Sequence, residues 1–309
     1  MFGAVVGWPA TVLAAFGLLL RHLDTGHQVL IVLASAAYVF VPFSLLGLAL
    51  HLWRRAWVAV VVGTLVVVLQ VVAYAPVLVA DSPPPAAATL HVYTQNLLYG
   101  RADAEKLVNR IEAASTDVFL AQELTPTSVT ALREAGLDDR LPYSFLDPRR
   151  DAGGTGIWSR YPVSDTRRLI PEGLPGVVAV VAVPGAGDVV ASSVHPASPF
   201  PGDPSDWYTQ LGRLKAVLAA DRRPALVGGD FNATLDHARF RALLVDGWRD
   251  GAEQAGAGWQ RTWPSNRRSP ALVGIDHVLT LGTVATAVGS APVRGSDHRG
   301  LVATVVVPR

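Results

Sequence analysis

The sequence predicts a mixed α/β domain carried behind three membrane-spanning helices, and three observations point there. Residues 1–80 hold three long apolar stretches without a formally charged side chain. From residue 90 onward, strand-length apolar runs alternate with amphipathic stretches and glycine-rich turns, the pattern of a domain that mixes parallel and antiparallel strands with helices. The apolar runs of this second part end in short polar islands rich in Asn, Asp, Glu and His.

Phe2–Leu20, Val29–Leu50 and Ala56–Ala80 each reach or approach the ~18–20 residues a helix needs to cross hydrocarbon. The first lacks the basic leader of a secretory signal, and two more spans follow it, so a multi-pass anchor is expected over residues 1–80. Of the connecting loops, His51-Leu-Trp-Arg-Arg55 is the most basic and is expected to be cytoplasmic, whereas Arg21–Gly26 carries one Arg beside Asp24. Three spans then place everything beyond residue 81 outside the cytoplasm, at a cell membrane. Residues 81–89, with three consecutive prolines, read as a stiff, extended spacer.

Within residues 90–309 the expected elements follow in order. Leu90–Thr94 alternates as a strand, Ala102–Ala113 has helical spacing, and Thr116–Leu120 is a short buried strand. Ser128–Ala135 reads as a helix, and the glycines of 153–156 introduce a hairpin around Ile157–Pro162. Val177–Val183 and Val189–Val194 flank a glycine-rich turn as a second hairpin. Trp207–Ala220 is helical, Ala225–Val227 a strand and Arg239–Val245 a helix. Val273–Leu279 and Leu301–Val307 close the chain as strands.

Charge and cysteine content narrow the function. Of 26 basic and 25 acidic residues, Arg21, Arg54, Arg55, Asp24 and Asp81 precede residue 90, so 23 of each sign remain beyond it. A neutral domain argues against strong non-specific affinity for nucleic acid, which rests on neutralised phosphates. The absence of cysteine excludes disulfides and thiolate chemistry.

The islands carry the chemistry. They are Tyr93–Asn96, Ala121–Glu123, Ser193–His195, Gly228-Gly-Asp-Phe-Asn232, Gly274–His277 and Gly295-Ser-Asp-His298. Hard oxygen donors and imidazoles at strand ends suit a divalent cation and a phosphate ester. Gly228 and Gly229 permit a tight turn presenting Asp230 and Asn232 on one side of the chain. Asp297 adjoins His298 and Asp276 offers a second carboxylate, the usual means of orienting a catalytic imidazole. Taken singly, Asn96 or Glu123 is more simply a turn residue or cap, and His277, His237 and His91 read as structural.

As an ordered set over about residues 90–309, these islands resemble the endonuclease/exonuclease/phosphatase superfamily, here in a membrane-anchored bacterial member. That superfamily includes deoxyribonuclease I-like nucleases, neutral sphingomyelinases and inositol polyphosphate phosphatases. The resemblance implies a four-layer α/β sandwich with two mixed sheets, and hydrolysis of a phosphate ester with Mg²⁺, or Mn²⁺ in its place. It implies Asn96 and Glu123 as the metal pair with Glu123 the direct ligand, and Asp297 as a further candidate for the metal. His195 matches the histidine that contacts the scissile phosphate. Asp230 matches the acid that positions the attacking water or assists the leaving group, and Asn232 the amide that binds the phosphoryl oxygens. Asp276 matches the carboxylate orienting His298, which is base or transition-state stabiliser. Leu98 departs from the pattern, standing where some nucleases carry an acid.

The substrate is not legible in these islands. A nuclease is the first expectation by breadth of the superfamily. The alternatives are a sphingomyelinase-like phosphodiesterase or phosphatase acting on a phospholipid or sugar phosphate, and a non-catalytic envelope binding module that keeps the fold. The loops Tyr143–Thr155, Pro199–Trp207 and Trp259–Pro270 are expected to select the substrate, the last by mixing aromatics and arginines. No protein partner is indicated.

Overall fold

The structure, a computed structural model, describes residues 2–170 and 173–309, with side chains from Val6 onward. The N-terminal region comprises α1 (Phe2–His22), α2 (Gln28–Ala34), one 3₁₀ turn (Ala37–Phe40), α3 (Val41–Trp53) and α4 (Trp57–Leu78). The expectation of three membrane-spanning helices needs correction. Among the described residues, one helix, α4, is by itself long and apolar enough to cross a membrane, with a mean hydropathy of 2.5. The stretch Val29–Leu50 is broken instead: α2 and the segment Ala37–Trp53 meet at 61° and pass the same test only together. Pro42, in the first turn of α3, explains the restart, because proline is pre-set for a helix start and cannot donate to the turn before it.

Helices α1, α3 and α4 pack through small and polar residues. Gly47 gives Thr11 room, Thr11 Oγ1 lies 3.0 Å from His51 Nε2, and Gln70 Nε2 donates to the Ala14 carbonyl at 3.4 Å. Such contacts hold helices together where hydrophobicity alone does not distinguish neighbour from surroundings.

The remaining chain builds two six-stranded sheets. The first contains β1 (Ala86–Asn96), β2 (Val118–Gln122), β3 (Tyr143–Asp147), β4 (Thr155–Ser159), β11 (Val284–Pro292) and β12 (Arg299–Pro308), in the order β11-β12-β1-β2-β4-β3. The second contains β5 (Val163–Ile170), β6 (Leu174–Val183), β7 (Gly187–Val194), β8 (Ala225–Asp230), β9 (Arg249–Asp250) and β10 (Asp276–Leu281), in the order β5-β6-β7-β8-β10-β9. Each sheet has a single parallel pair, β1 with β2 and β7 with β8. In each, the parallel strands end at the same edge, and there the polar islands collect.

The two sheets face each other across a core that includes Leu90, Val92, Leu120, Val177, Val181 and Leu226. Helices α5 (Ala104–Ala113), α6 (Pro126–Glu134) and the short α7 (Leu137–Arg140) cover the first sheet through Tyr93, Phe119 and Trp158. Helices α8 (Ser205–Ala220) and α9 (Ala238–Arg241) cover the second, and the short α10 (Gly251–Gln254) follows β9. The result is the implied sandwich of helix, sheet, sheet and helix.

Several boundaries differ from expectation for local reasons. Strand β1 starts at Ala86, inside the proline-rich stretch, because β12 runs to Pro308 and pairs that far. The glycines of 153–154 do turn a hairpin, but it joins β3 to β4, and after Tyr161-Pro162 the chain crosses into the other sheet as β5. The expected helix over Arg239–Val245 is reduced to α9, and strands β3, β5, β9 and β11 were not foreseen.

Candidate active site

Asn96 ends β1, Glu123 follows β2, His195 follows β7, Asp230 ends β8, Asp276 opens β10 and His298 precedes β12. Antiparallel pairing sets Asp276 directly opposite Asp230, and parallel pairing sets Val194 beside Gly229. A Cβ at Gly229 would collide with the Val194 carbonyl, so a side chain there would push β7, and His195 with it, away from Asp230.

Asp230 is the hub. Its Oδ2 accepts from Asn96 Nδ2 at 3.0 Å and lies 3.5 Å from both His195 Nε2 and His298 Nε2, while Oδ1 accepts from the Asn232 amide at 2.8 Å. Asn96 Nδ2 also donates to Glu123 Oε1 at 3.0 Å, and Asn96 Oδ1 accepts from the Leu98 amide at 2.9 Å. Glu123 Oε2 accepts from the Tyr99 amide at 2.7 Å. Glu123 and Asn232 both sit in the left-handed backbone region, at φ 54° and 50°, a strain of roughly 1–3 kcal/mol each that such bonds must sustain. The backbone of Leu98 and Tyr99 thus takes part where the chain lacks the additional acid.

The two histidines are fixed in different ways. His195 Nδ1 faces the Ala152 carbonyl at 2.9 Å, so that nitrogen carries the proton and Nε2 points at Asp230. Burial disfavours its charge, but the Asp230 bond and the charges of Asp230 and Glu123 outweigh burial and raise its pKa. His298 Nδ1 lies 2.9 Å from Asp276 Oδ2, and Nε2 faces Asp230 and, at 3.9 Å, Asp297. Burial would lower this pKa too, but Asp276 and Asp230, aided by Asp297, push it up to about 10. Burial likewise opposes the Asp230 charge, yet His298 and His195 bring its carboxyl down to about 2. With carboxylates at both ring nitrogens, the proton shared with Asp276 belongs on His298, which is an imidazolium. Thr262 Oγ1 supports the Asp276 side by accepting the Ile275 and Asp276 amides at 3.2 and 3.3 Å.

Asp230, Asp276 and His298 offer ligand atoms all within 4.8 Å of one another, but the His298 imidazolium already sits between the two carboxylates, Nδ1 facing Asp276 and Nε2 facing Asp230. Oxygen donors of the type a hard cation takes lie beside it. The Glu123 side chain is 11% exposed and faces the cleft. Asp297 has one oxygen bound by Trp263 Nε1 at 3.1 Å and leaves Oδ1 buried without a hydrogen bond, 3.9 Å from His298 Nε2. Asn96 Oδ1 retains a second lone pair. These donors fit Mg²⁺ or Mn²⁺ in chemical type.

Asn96, Glu123, His195, Asp230, Asn232, Asp276, Asp297 and His298 therefore meet at one edge of the sandwich, whereas His91 pairs with Asp117 elsewhere. Thr262, Trp263 and the Tyr99 amide are additions, lying outside the islands and carrying ordinary side chains or none. His277 is structural, bonded to Asp250 at 2.8 Å and the Ala233 carbonyl at 2.9 Å. His237 proves to be a tie to the N-terminal region: its Nε2 lies 2.9 Å from the Ile31 carbonyl of α2. The cleft, about 710 Å³, is bounded by the site residues and also by Ile31, Val32 and Ser35 of α2.

The sequence profile described as the Endonuclease/Exonuclease/phosphatase family matches residues 93–298. No curated protein matches the chain significantly. Among solved structures, an endonuclease/exonuclease/phosphatase from Beutenbergia cavernae is similar at 21% identity and a TM-score of 0.58, covering 71% of this chain and 72% of its own. TDP2 of D. rerio, solved with a single-strand DNA product, is similar at 19% identity and 0.59, covering 71% and 99%. A family protein from Bacteroides vulgatus gives 17% and 0.57, covering 71% and 99%. At these identities the structures attest the shared fold.

Proposed function

Because the chain belongs to the endonuclease/exonuclease/phosphatase family, whose members hydrolyse phosphate esters, we propose that it is a divalent-metal-dependent phosphodiesterase held at a cell membrane. The observation that carries this reading is the meeting of Asn96, Glu123, His195 and His298 around the Asp230 carboxylate. Glu123, with Asp297 and Asn96 Oδ1, would hold Mg²⁺ or Mn²⁺, which when bound offsets charge on a phosphoryl oxygen.

The chain's own groups divide the remaining work. Asp230, kept anionic, accepts a hydrogen bond from the attacking water and orients its lone pair toward phosphorus. His298, kept cationic by Asp276, faces the phosphoryl oxygens as negative charge builds there. His195 Nε2 serves a second oxygen. Asn232 Nδ2 engages the Pro196 carbonyl with one hydrogen at 3.0 Å, leaving the other for the substrate.

The membrane reading is supported by α4, whose Val58, Val61, Val71 and Val72 point outward and uncovered, a larger apolar surface than a soluble helix normally exposes. The catalytic domain binds the end of the bundle away from Arg54-Arg55, so a cytoplasmic position of that basic pair places the domain outside.

The test is the full-length protein purified in detergent, supplied with Mg²⁺, and offered single-stranded DNA, RNA, phospholipids and phosphomonoesters. Hydrolysis of a diester that EDTA abolishes is expected. Hydrolysis of none, or hydrolysis indifferent to EDTA, would overturn the reading.

A further inference from the structure

One wall of the catalytic cleft belongs to the N-terminal helical region. The segment between the end of α1 at His22 and the start of α3 at Val41 carries α2 and lies against the catalytic domain. Ile31 is 2% exposed and packs into the core between the second sheet and α8. Its carbonyl is held by His237 at 2.9 Å, Gln28 Nε2 donates to the Pro199 carbonyl at 3.0 Å, and Tyr38 Oη donates to the Leu272 carbonyl at 2.7 Å. The segment is docked, not loosely looped.

This docking leaves an apolar rim beside the reacting groups. Val32 of α2, 44% exposed, and Phe200, 58% exposed, line the cleft that also holds Glu123, Asp230 and His298. Val29 and Leu33 of the same helix, and Leu272, are exposed as well. Arg267 is the sole Lys or Arg among the described residues lining the cleft. A polynucleotide needs several such cations along its path; Lys106, Arg110 and Arg294 line a second groove beyond Leu98, which leaves the α2 side of the cleft with a single cation. The surroundings suit a substrate with one phosphate group and a hydrocarbon portion.

Resting on the phosphodiesterase and membrane readings above, we propose that the substrate is a membrane-resident amphiphile. Its phosphate ester enters the polar end of the cleft while its hydrocarbon chain lies across the rim formed by Val32 and Phe200. Helix α2 lies between α1 and α3, which pack with α4, so on the membrane reading the rim it forms faces the lipid headgroups. A lipid can then slide from bilayer to site without crossing water, and burying its chain against Val32 and Phe200 adds binding that a soluble diester lacks.

The experiment compares two substrates with one reacting group, hexadecyl p-nitrophenyl phosphate in mixed micelles and methyl p-nitrophenyl phosphate in solution, using the full chain in the same detergent with Mg²⁺. The long-chain diester is expected to show a kcat/KM roughly tenfold or more above the short one. In Val32→Ser and Phe200→Ser, both at exposed positions and checked for a wild-type melting midpoint, that ratio should fall toward one. Equal kcat/KM for the two diesters, or a ratio that neither substitution changes, would overturn the lipid assignment while leaving the phosphodiesterase reading intact. Single-stranded DNA turned over faster than the long-chain diester would do the same. If no diester is hydrolysed, both readings fail.

Discussion

Arg21, in the last turn of α1, forms an ion pair with Asp236 of the catalytic domain, and both side chains are about 5% exposed or less. The guanidinium also donates to the Leu235 carbonyl at 2.9 Å and to the Ala73 carbonyl of α4 at 3.0 Å, and lies 4.8 Å from the Tyr74 ring centre. One side chain therefore joins α1, α4 and the domain. The orientation argument from sequence treats Arg21 as a charge left in an outer loop. In the fold its charge is balanced, so it weighs little against Arg54 and Arg55.

Removing one partner of such a pair leaves an uncompensated buried charge. Arg21→Met should lower unfolding stability by roughly 3–5 kcal/mol, read as a falling denaturation midpoint of the full chain in detergent. Arg21→Met combined with Asp236→Leu should recover much of that loss. A single variant as stable as wild type would show that the pair does not hold the helical region to the domain.

Glu123→Gln removes an anionic oxygen donor, whereas His298→Ala removes a cation beside the same cleft. Metal titration followed by calorimetry should therefore weaken in Glu123→Gln and not in His298→Ala. Asp230→Asn and His298→Ala should each lower turnover by roughly 10²–10³-fold without lowering the melting midpoint enough to account for it. Superimposable titrations of Glu123→Gln and wild type would remove Glu123 from the ligand set.

The site was more legible in the sequence than the anchor. Asn96, Glu123, His195, Asp230 and His298 were readable because each follows or precedes a buried strand, and the two parallel pairs carry those strand ends to one edge. The support from Thr262, Trp263 and the Tyr99 amide was not, since backbone donors and long-range bonds leave no local pattern. Strands β5 and β11 escaped for a related reason. Each lies at the rim of its sheet, so Val163–Ile170 is largely exposed and carries Asp165, Arg167 and Arg168 in place of an apolar run. The break at residues 35–36 was hidden because uniform apolarity reports burial and says nothing about direction. Pro42 was visible and marks the start of α3, but the direction α2 takes is set by the docking of Ile31 and Tyr38 onto a domain more than 150 residues away.

The charge cluster has a pH signature. The His298 pKa rises from 6.5 to about 10 on folding, so its stabilising contribution is complete below about pH 6.5 and is lost as pH climbs through 10. Asp230, lowered from 3.8 to about 2, contributes above about pH 3.8 and loses that contribution only in stronger acid. In EDTA, the melting midpoint of wild type should therefore decline between pH 6.5 and 10. His195 and His277, also raised, add to that slope, so the informative measurement is the difference. His298→Gln should show a shallower decline than wild type over the same range, and parallel curves would mean that His298 is neutral in the fold.

Orientation can be settled by proteolysis, and the structure narrows where a cut will work. The spacer is not a free tether: Asp81 bonds the Gln254 carbonyl through its amide and pairs with Arg249 at 3.1 Å, and β1 begins at Ala86. That leaves residues 82–85 as the accessible stretch, and they contain Pro83-Pro84-Pro85. A site for a specific protease inserted after Ser82 should be cut in intact spheroplasts if the domain lies outside the cytoplasm, as the basic loop at Arg54-Arg55 predicts. Cleavage alone should not release the domain, because Arg21–Asp236, the His237–Ile31 bond and the seat of Ile31 in the core persist across the nick. Release is expected after cleavage is combined with Arg21→Met. Cutting that requires permeabilised membranes would place the domain in the cytoplasm, and immediate release by cleavage alone would show that α2 does not hold the domain.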